Sequence, residues 1–230
     1  MIFIGIDDTD NAESRGTGRL AREIAGRLAG QYGLIGVTRH QLLFDSRIPY
    51  TSHNSSAAIC LENSLTDSEL DGLQRQLSEW ILADFQTGSD PGLCVVSEPV
   101  PARVTAFGRL AQQAVVDQQQ AREIAGQSRL LLQGLGGSQD GIIGALAAVG
   151  LAASGEDGRY LLVGQIREIS GLVDIQQVLA SGVSEVRTLE EKPVREGQVL
   201  ADKLRPARRG GKPIQYVAWG SEYWIPLKLN

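Results

Sequence analysis

The chain opens with Ile2-Phe3-Ile4-Gly5-Ile6-Asp7-Asp8-Thr9-Asp10, an apolar run that ends abruptly in three carboxylates. The run Ile2–Ile6 predicts a short buried strand. Asp7, Asp8 and Asp10 repel one another unless a cation or hydrogen-bond donors compensate for their charge. Carboxylate oxygens at a strand end suit Mg²⁺, which also bridges to phosphate groups, and α/β sheets bind ligands at strand ends. The stretch therefore predicts a magnesium site, with an acidic turn that caps the next helix as the alternative.

A glycine-containing loop leads from this strand into a helix. The apolar stripe of residues 20–28 predicts a helix over residues 17–31, and Gly16-Thr17-Gly18-Arg19 stands where it begins. Backbone N–H groups at a helix N-terminus favour phosphate, Thr17 can donate to phosphate or accept a phosphoryl group, and Arg19 can bind oxygens. The alternative is that Thr17 is an ordinary N-cap and Arg19 a solvated side chain.

A second glycine-rich loop, residues 134–141, precedes a helix that is apolar almost all round, residues 142–153. The glycines allow a phosphate to approach the backbone closely, as at other helix N-termini. The predicted phosphate-binding residues of this loop are Gly136, Gly137, Ser138 and Gly141. Asp140 would add a metal ligand or cap the helix, and the alternative is a connection with no ligand.

The polar loop Tyr50–Ser56 carries seven successive hydrogen-bonding side chains. It predicts a substrate or nucleotide pocket in which His53 and Asn54 donate hydrogen bonds. His53 is also a candidate general acid or base. The alternative is a surface loop with no ligand.

Periodicity along the rest of the chain predicts a mixed α/β (α+β) protein. Short strands are predicted over residues 37–44, 57–61, 93–96, 130–133 and 160–166, and helices over residues 66–85 and 103–125. The first of these helices opens with the capping box Thr66–Glu69. Beyond residue 182 the pattern changes to short alternating runs with four prolines. We therefore expect two parts, a larger one over residues 1–182 and a small β module over residues 183–230.

Composition excludes several classes of protein. The 230 residues carry 22 Lys and Arg against 27 Asp and Glu, a net charge of −5, so the chain as a whole is not a basic nucleic-acid binder. Two cysteines and two histidines are too few for a zinc ribbon. Cys60 and Cys94 stand in apolar runs and predict buried free thiols, typical of a reducing cytoplasm. We find no membrane span and expect a cytoplasmic protein.

The basic stretch, residues 203–212, holds five of the cations and precedes an aromatic segment. It predicts a contact with RNA phosphates, with stacking of bases on the aromatic side chains. The alternative is an exposed turn between the strands of the β module.

Three segments of this chain resemble the archaeal tRNA-isoleucine agmatidine synthetases (TiaS). They are Gly5–Asp10 with Gly16–Ala21, then Arg47–Ala57, and then Gly141–Gly150, in the order and with roughly the spacing of that family. The resemblance covers about residues 1–170. This chain departs from the family where Thr51-Ser52-His53 replaces Lys-Thr-Arg and where Asp140 replaces an arginine, and it is much shorter.

The resemblance implies a kinase-like domain with an inserted or adjacent ferredoxin-like domain, here at about residues 57–130. It also implies that ATP and Mg²⁺ are bound, that Asp7, Asp8 and Asp10 hold the metal and the phosphates, and that Thr17 matches the threonine that the family phosphorylates. The expected ATP-binding residues are Thr9, Gly16, Gly18, Arg19, Asn54, Gly136, Gly137, Ser138 and Gly141.

The leading hypothesis is an ATP- and Mg²⁺-dependent phosphotransferase or ligase that phosphorylates an oxygen of an unidentified acceptor. Asp7, Asp8, Asp10, Thr17 and His53 are its expected catalytic residues. Two alternatives remain: a nucleotide-binding module that does not catalyse, and an RNA-binding accessory protein that uses the basic stretch. The sequence leaves the oligomeric state undetermined.

Overall fold

The computed structural model describes residues 1–11, 13–14, 16–48 and 53–229. The chain divides into two compact units, Met1–Ser154 and Gly155–Asn230, called unit 1 and unit 2 below. The division lies before residue 155, whereas the sequence pattern predicted a boundary at residue 182. Apolar residues between these positions, such as Tyr160 and Val178, belong to the core of unit 2, which they share with Val217.

Unit 1 is built on an antiparallel sheet with the strand order β5-β4-β1-β3-β2. Its strands are β1 (Ile2–Asp7), β2 (Leu34–Gln41), β3 (Ser55–Leu61), β4 (Gly92–Ser97) and β5 (Leu131–Gly134). Its helices are α1 (Thr17–Tyr32), α2 (Asp67–Ala83), α3 (Ala102–Ala111), α4 (Gln118–Ser128) and α5 (Gly141–Ser154). Strands and helices together confirm the mixed α/β class.

The first six elements follow the order β-α-β-β-α-β that is known from ferredoxin-like folds, with β1 in the middle of the sheet. The expected separate subdomain at residues 57–130 is not what the structure has. That range contains β3 and β4, which do not pair with each other because both pair with β1. The range is therefore part of one sheet and one core.

The helix predicted over residues 103–125 is two helices, α3 and α4. Asp117 ends the interruption between them, because its carboxylate accepts the Gln120 N–H at 2.9 Å while the Gln120 side chain accepts the Asp117 N–H at 3.0 Å. This reciprocal capping box starts a new helix. The predicted capping box at Thr66 is confirmed at the start of α2.

Helix α5 packs against the sheet at unusually short range. A Cβ atom at Gly5 of β1 would lie 1.9 Å from the carbonyl oxygen of Ala145 in α5, so only glycine permits this approach. Phe3 of β1 and the buried residues of α5 belong to one hydrophobic core. Leu20 and Ile24 are among the buried residues of α1. Helix α5 is thereby held over β1, with its first turn near the end of that strand.

Unit 2 consists mainly of short strands, as predicted for the C-terminal part. They are β6 (Arg159–Leu162), β7 (Leu172–Asp174), β8 (Glu185–Arg187), β9 (Gln198–Leu200), β10 (Ala207–Arg209), β11 (Lys212–Trp219) and β12 (Trp224–Pro226), with helix α6 (Ile175–Ala180). Strand β10 pairs with β6 and β11, and β11 also pairs with β8 and β12. The core of unit 2 is apolar and contains Tyr160, Ile175 and Val199.

Two further expectations concern side chains and membrane spans. Cys60 and Cys94 are buried free thiols, as predicted, and burial raises the pKa of the Cys94 thiol to about 12. Among the helices that the structure describes, none combines the length and the apolar character needed to cross a bilayer.

Candidate functional site

The strand registers bring the predicted motifs of unit 1 to one edge of the sheet. Asp7, at the end of β1, lies opposite Gly92 at the start of β4, and Gly92 lies opposite Gly134 at the end of β5. On the other side of β1, Ile6 lies opposite Ala57 near the start of β3. Because neighbouring strands are antiparallel, the loops after β1 and β5 and those before β3 and β4 all emerge at this edge.

Five carboxylates gather at this edge, and we call them the acidic edge. They are Asp7, Asp8, Asp10, Asp90 and Asp140. The charges of Asp10, Asp90 and Asp140 raise the pKa of Asp8. The charges of Asp8 and Asp10 raise the pKa of Asp7. Asp90 and Asp140, from two other loops, thus act on Asp8 together with Asp10, and the metal-binding role of Asp7, Asp8 and Asp10 remains a prediction.

Asp7 lies against the first turn of α5. A Cβ atom at Gly144 would lie 1.6 Å from Asp7 Oδ2, so the missing side chain of Gly144 makes room for this carboxylate. Burial raises the pKa of Asp7 well above its ordinary value, and the charge of Asp8 raises it further. Burial and the neighbouring charge thus both disfavour the ionised form of Asp7.

Asp8 has a left-handed backbone, with φ 50°, a conformation that aspartate tolerates better than most residues. Its carboxylate accepts the backbone N–H of Asp90. Burial is the largest cause that raises its pKa, to about 6, followed by the charges of Asp90, Asp10 and Asp140. A cation bound here would relieve this repulsion.

Asp90 organises the second glycine-rich loop and was not among the predicted site residues. Its carboxylate accepts the Ser138 N–H at 2.7 Å and the Ser138 hydroxyl at 2.6 Å. A Cβ atom at Gly137 would lie 1.4 Å from Asp90 Oδ1, so the glycine is needed here. The signal in the sequence was Asp90-Pro91-Gly92, a turn directly before a strand.

Several donors predicted to hold phosphate thus donate to Asp90, either to its carboxylate or to its backbone carbonyl. The Gly141 N–H donates to the Asp90 carbonyl at 3.1 Å, in addition to the two bonds from Ser138. Asp140 accepts a bond from the Gln118 amide at 2.6 Å. The predicted roles of Gly136, Gly137, Ser138 and Gly141 in phosphate binding remain predictions.

Thr17 is the first residue of α1 and not its N-cap, which is Gly16, with φ 83°. The Thr17 hydroxyl donates to Asp10 Oδ1 at 2.7 Å and accepts bonds from the Thr9 N–H at 3.3 Å and the Thr9 hydroxyl at 3.2 Å. Asp10 also accepts the Thr17 N–H at 3.3 Å. A hydroxyl within hydrogen-bond reach of a carboxylate is the arrangement of a nucleophile with its base.

The arginine predicted to bind phosphate at this helix has other partners. Arg19 donates to both carboxylate oxygens of Asp84, at 3.1 and 3.2 Å, and also bonds to Glu23. The Gly18 carbonyl accepts a bond from Arg22 at 2.8 Å. Phosphate binding by Arg19 would therefore compete with an internal ion pair.

His53 and Asn54 lie at the same edge, before β3. The Asn54 side chain donates to the Leu43 carbonyl at 2.7 Å, so it supports the connection between β2 and β3. His53 is exposed, with its ring edge-on to Phe44 at 6.3 Å between centroids. Residues 50–52 of the predicted pocket lie outside the described residues.

The described residues contain no group of three or more His, Cys, Asp or Glu side chains that is ready to hold a metal ion. The donor chemistry of the acidic edge nevertheless fits Mg²⁺, which is usually bound by one or two carboxylates together with waters and substrate phosphates. Asp8 and Asp10 are the residues that would hold it, because Asp8 is partly exposed and Asp10 adjoins Thr17.

The raised pKa of Asp8 predicts a pH dependence of stability in the absence of metal. The folded state binds the proton more tightly than the unfolded chain, so the free energy of unfolding should rise as the pH falls from 7 through 6 toward 4. We expect Asp8 to contribute about 1–2 kcal/mol once solvent screening is allowed for.

Urea unfolding of wild type and Asp8→Asn in EDTA, across this pH range, measures that contribution. Asp8→Asn should be the more stable protein at pH 7, and the difference should shrink on acidification. A difference that does not change with pH would contradict the assignment.

Two arginines of the basic stretch, Arg208 and Arg209, make contacts within the chain. Arg208 is buried and donates to the Tyr160 hydroxyl at 2.6 Å and to the Gly211 carbonyl at 3.1 Å. Arg209 donates to the Arg208 carbonyl at 2.8 Å. Of the aromatic side chains that follow, Tyr216 is buried, whereas Trp219 is 57% exposed and packs edge-on against Trp224.

Comparison with known proteins was made at the levels of sequence and structure. No protein-family model and no curated protein sequence matches this chain. The chain is similar to the crystal structure of a tRNA fluorescent labeling enzyme (27% identity, TM-score 0.57) and to that of the TiaS–tRNA(Ile2)–ATP complex (27% identity, TM-score 0.56). It is also similar to the TiaS–tRNA(Ile2)–AMPCPP–agmatine complex (25% identity, TM-score 0.55).

These matches cover 64–65% of this chain but only 35–36% of the matched chains. The chain therefore spans about a third of the length of those enzymes. Over the matched part, it is similar in structure to the tRNA(Ile2) agmatidine synthetase TiaS.

Proposed function

We propose that this protein is an ATP-dependent enzyme that activates an oxygen of an acceptor by phosphorylation, with RNA as the acceptor class. The observation that carries the proposal is the acidic edge beside the Thr17–Asp10 pair, in a chain similar to TiaS complexes with ATP and tRNA. A Mg²⁺ ion bound with the nucleotide would supply the positive charge that offsets these carboxylates.

The first chemical step would be transfer of the γ-phosphoryl group to Thr17. The Thr17 oxygen forms a bond to the γ-phosphorus, the bond from that phosphorus to the bridging oxygen of ADP breaks, and ADP departs with the electron pair. Asp10, 2.7 Å from the hydroxyl, takes the proton. Thr9 orients the hydroxyl through its two bonds.

Magnesium, when bound, would neutralise charge on the phosphate oxygens. Only 7% of Thr17 is exposed, so its hydroxyl has to become accessible before the γ-phosphate can reach it. The phosphoryl group would then pass to the acceptor oxygen, with His53, at the same edge, as the proposed acid or base.

Incubation with γ-labelled ATP and Mg²⁺ tests this step. We expect label on wild type and on Thr17→Ser, which keeps the hydroxyl, and a loss of at least about tenfold on Thr17→Val, which removes it. Thr87→Ala, at an exposed threonine outside the acidic edge, is the matched control and should be labelled like wild type. Equal label on folded Thr17→Val and wild type would exclude Thr17 as the nucleophile.

A nucleotide-binding module without catalysis is the second candidate function. It is favoured by the internal partners of Arg19 and Ser138, two side chains predicted to handle phosphate. It predicts that ATP raises the melting temperature while no label is transferred and no phosphate is released, even with RNA present. Transfer of label to the protein or to RNA would exclude it.

A further inference from the structure

Three arginines of unit 2 lie close together, and we call them the arginine cluster: Arg159, Arg167 and Arg205. Arg159 lies in β6, opposite Ala207 of β10, and Arg205 lies two residues before that partner. The Tyr160 N–H donates to the Pro206 carbonyl at 2.7 Å, which continues the pairing toward Arg205. Alternation along a strand therefore places Arg159 and Arg205 on the same face.

The backbone under the cluster is firmly held. The Arg205 N–H donates to Gln215 Oε1 at 3.0 Å, and Gln215 is fully buried, with its amide donating to the carbonyls of Tyr216 at 2.7 Å and Leu227 at 3.1 Å. Leu204, next to Arg205, is also buried. The backbone of Arg205 is thus held in place by its hydrogen bond to buried Gln215 and by its buried neighbour Leu204.

Two side chains of the cluster, Arg167 and Arg205, have guanidinium donors beyond those used in their bonds within the chain. Arg205 is half-buried and uses one guanidinium nitrogen to donate to the Leu204 carbonyl at 2.6 Å. Arg167 is exposed and donates to the Leu161 carbonyl at 3.4 Å. A guanidinium has five N–H donors, so these bonds leave several for a ligand.

Placing three positive charges together is unfavourable, and the structure shows the effect at Arg205. Burial lowers the pKa of Arg205, and the charges of Arg167 and Arg159 lower it further. Burial also lowers the pKa of Arg159. An anion among these side chains would remove the repulsion, and the planar guanidinium matches the oxygens of a phosphate.

We propose that the arginine cluster of unit 2 binds the phosphodiester backbone of the RNA acceptor. The proposal rests on the proposed function for the class of ligand, and on the geometry of Arg159, Arg167 and Arg205 for the site. Within the basic stretch it assigns RNA contact to Arg205 and not to the buried Arg208. Unit 2 would then hold the acceptor while unit 1 handles ATP.

Binding of a fluorescein-labelled RNA stem-loop to the full chain, in EDTA and without ATP, tests this assignment. Arg167→Gln and Arg205→Gln should each raise the dissociation constant roughly fivefold and lower the slope of log affinity against log salt by about 1. Arg195→Gln removes an exposed arginine of the same unit outside the cluster, and it should bind like wild type.

Arg167→Gln keeps the test decisive because Arg167 is exposed and its loss should not disturb folding, which a thermal melt verifies. Wild-type affinity and salt slope for folded Arg167→Gln would overturn the proposal. Displacement of the RNA by equimolar ATP or inorganic phosphate would also overturn it, because the cluster would then take a free phosphate group.

Failure of this proposal is distinguishable from failure of the proposed function. Label on Thr17 from ATP is measured without RNA, and Arg167→Gln should be labelled like wild type. RNA binding in EDTA does not depend on ATP. If Thr17 is not labelled, the RNA-binding result still stands, and if RNA is not bound, the labelling result still stands.

Discussion

Asp8→Asn is expected to reduce transfer of label from γ-labelled ATP by about 100-fold while the protein stays folded. The substitution removes a negative charge from the acidic edge and keeps the size of the side chain. The Asp8 carboxylate would contribute several kcal/mol to binding of the metal–nucleotide complex, and the substitution removes it. An increase of about 2.7 kcal/mol in activation free energy corresponds to a rate lower by two orders of magnitude. The measurement is the initial rate of labelling with Mg²⁺ present.

Asp71→Asn is the matched control, because Asp71 is an exposed aspartate on α2, away from the acidic edge. It should be labelled at the wild-type rate. Asp8→Asn should also melt at a higher temperature than wild type at neutral pH, since repulsion from Asp90, Asp10 and Asp140 is relieved. A folded Asp8→Asn protein with the wild-type labelling rate would rule out a role of Asp8 in phosphate handling.

Gly5→Ala is expected to lower the free energy of unfolding by about 2–3 kcal/mol. The added Cβ would stand 1.9 Å from the Ala145 carbonyl oxygen and 2.9 Å from its carbon, so the backbone of α5 would have to move away from β1. Because Gly144 of the same helix accommodates Asp7, the shift would also disturb the acidic edge. Urea unfolding measures the first effect and ATP labelling the second.

Gly26→Ala makes the same chemical change at an exposed position of α1 where a Cβ atom would meet nothing within 4 Å. It should stabilise the protein by about 0.5–1 kcal/mol, since alanine is the better helix former. The account of the β1–α5 contact would be refuted if Gly5→Ala were as stable as Gly26→Ala.

Local patterns predicted much of the fold. The apolar run Ile2–Ile6 is β1, the stripe of residues 20–28 is the buried face of α1, and the capping box at Thr66 starts α2. These elements were predictable because burial and capping act within a few residues. The interruption before Asp117 also had a local signal, Asp with Gln three residues later, but the apolar periodicity on either side obscured it.

The boundary between the two units was not predictable in this way. Residues 160–182 have the composition of the preceding segment, yet Tyr160 and Val178 pack with Val217, far along the chain. Composition describes the residue types in one segment, whereas the limits of a compact unit depend on contacts between residues far apart in the sequence. The strand pairing of β6 with β10 decides the boundary, and no local pattern encodes it.

For the candidate site, the acidic motif was recognised because three carboxylates in four residues require an explanation. Asp90 was missed because its role depends on the register of β4 beside β1, which brings it to Asp8 and to the loop containing Ser138. The same register explains why donors that looked suited to phosphate bind an internal carboxylate. Sequence identified the residue types, and topology determined their partners.

Mass spectrometry of wild-type protein after incubation with ATP and Mg²⁺ identifies the residue that receives the phosphoryl group. We expect phosphate on Thr17, whose hydroxyl lies 2.7 Å from Asp10. Folded protein that binds ATP but carries phosphate only at residues outside the acidic edge and its Thr17–Asp10 pair would contradict this expectation.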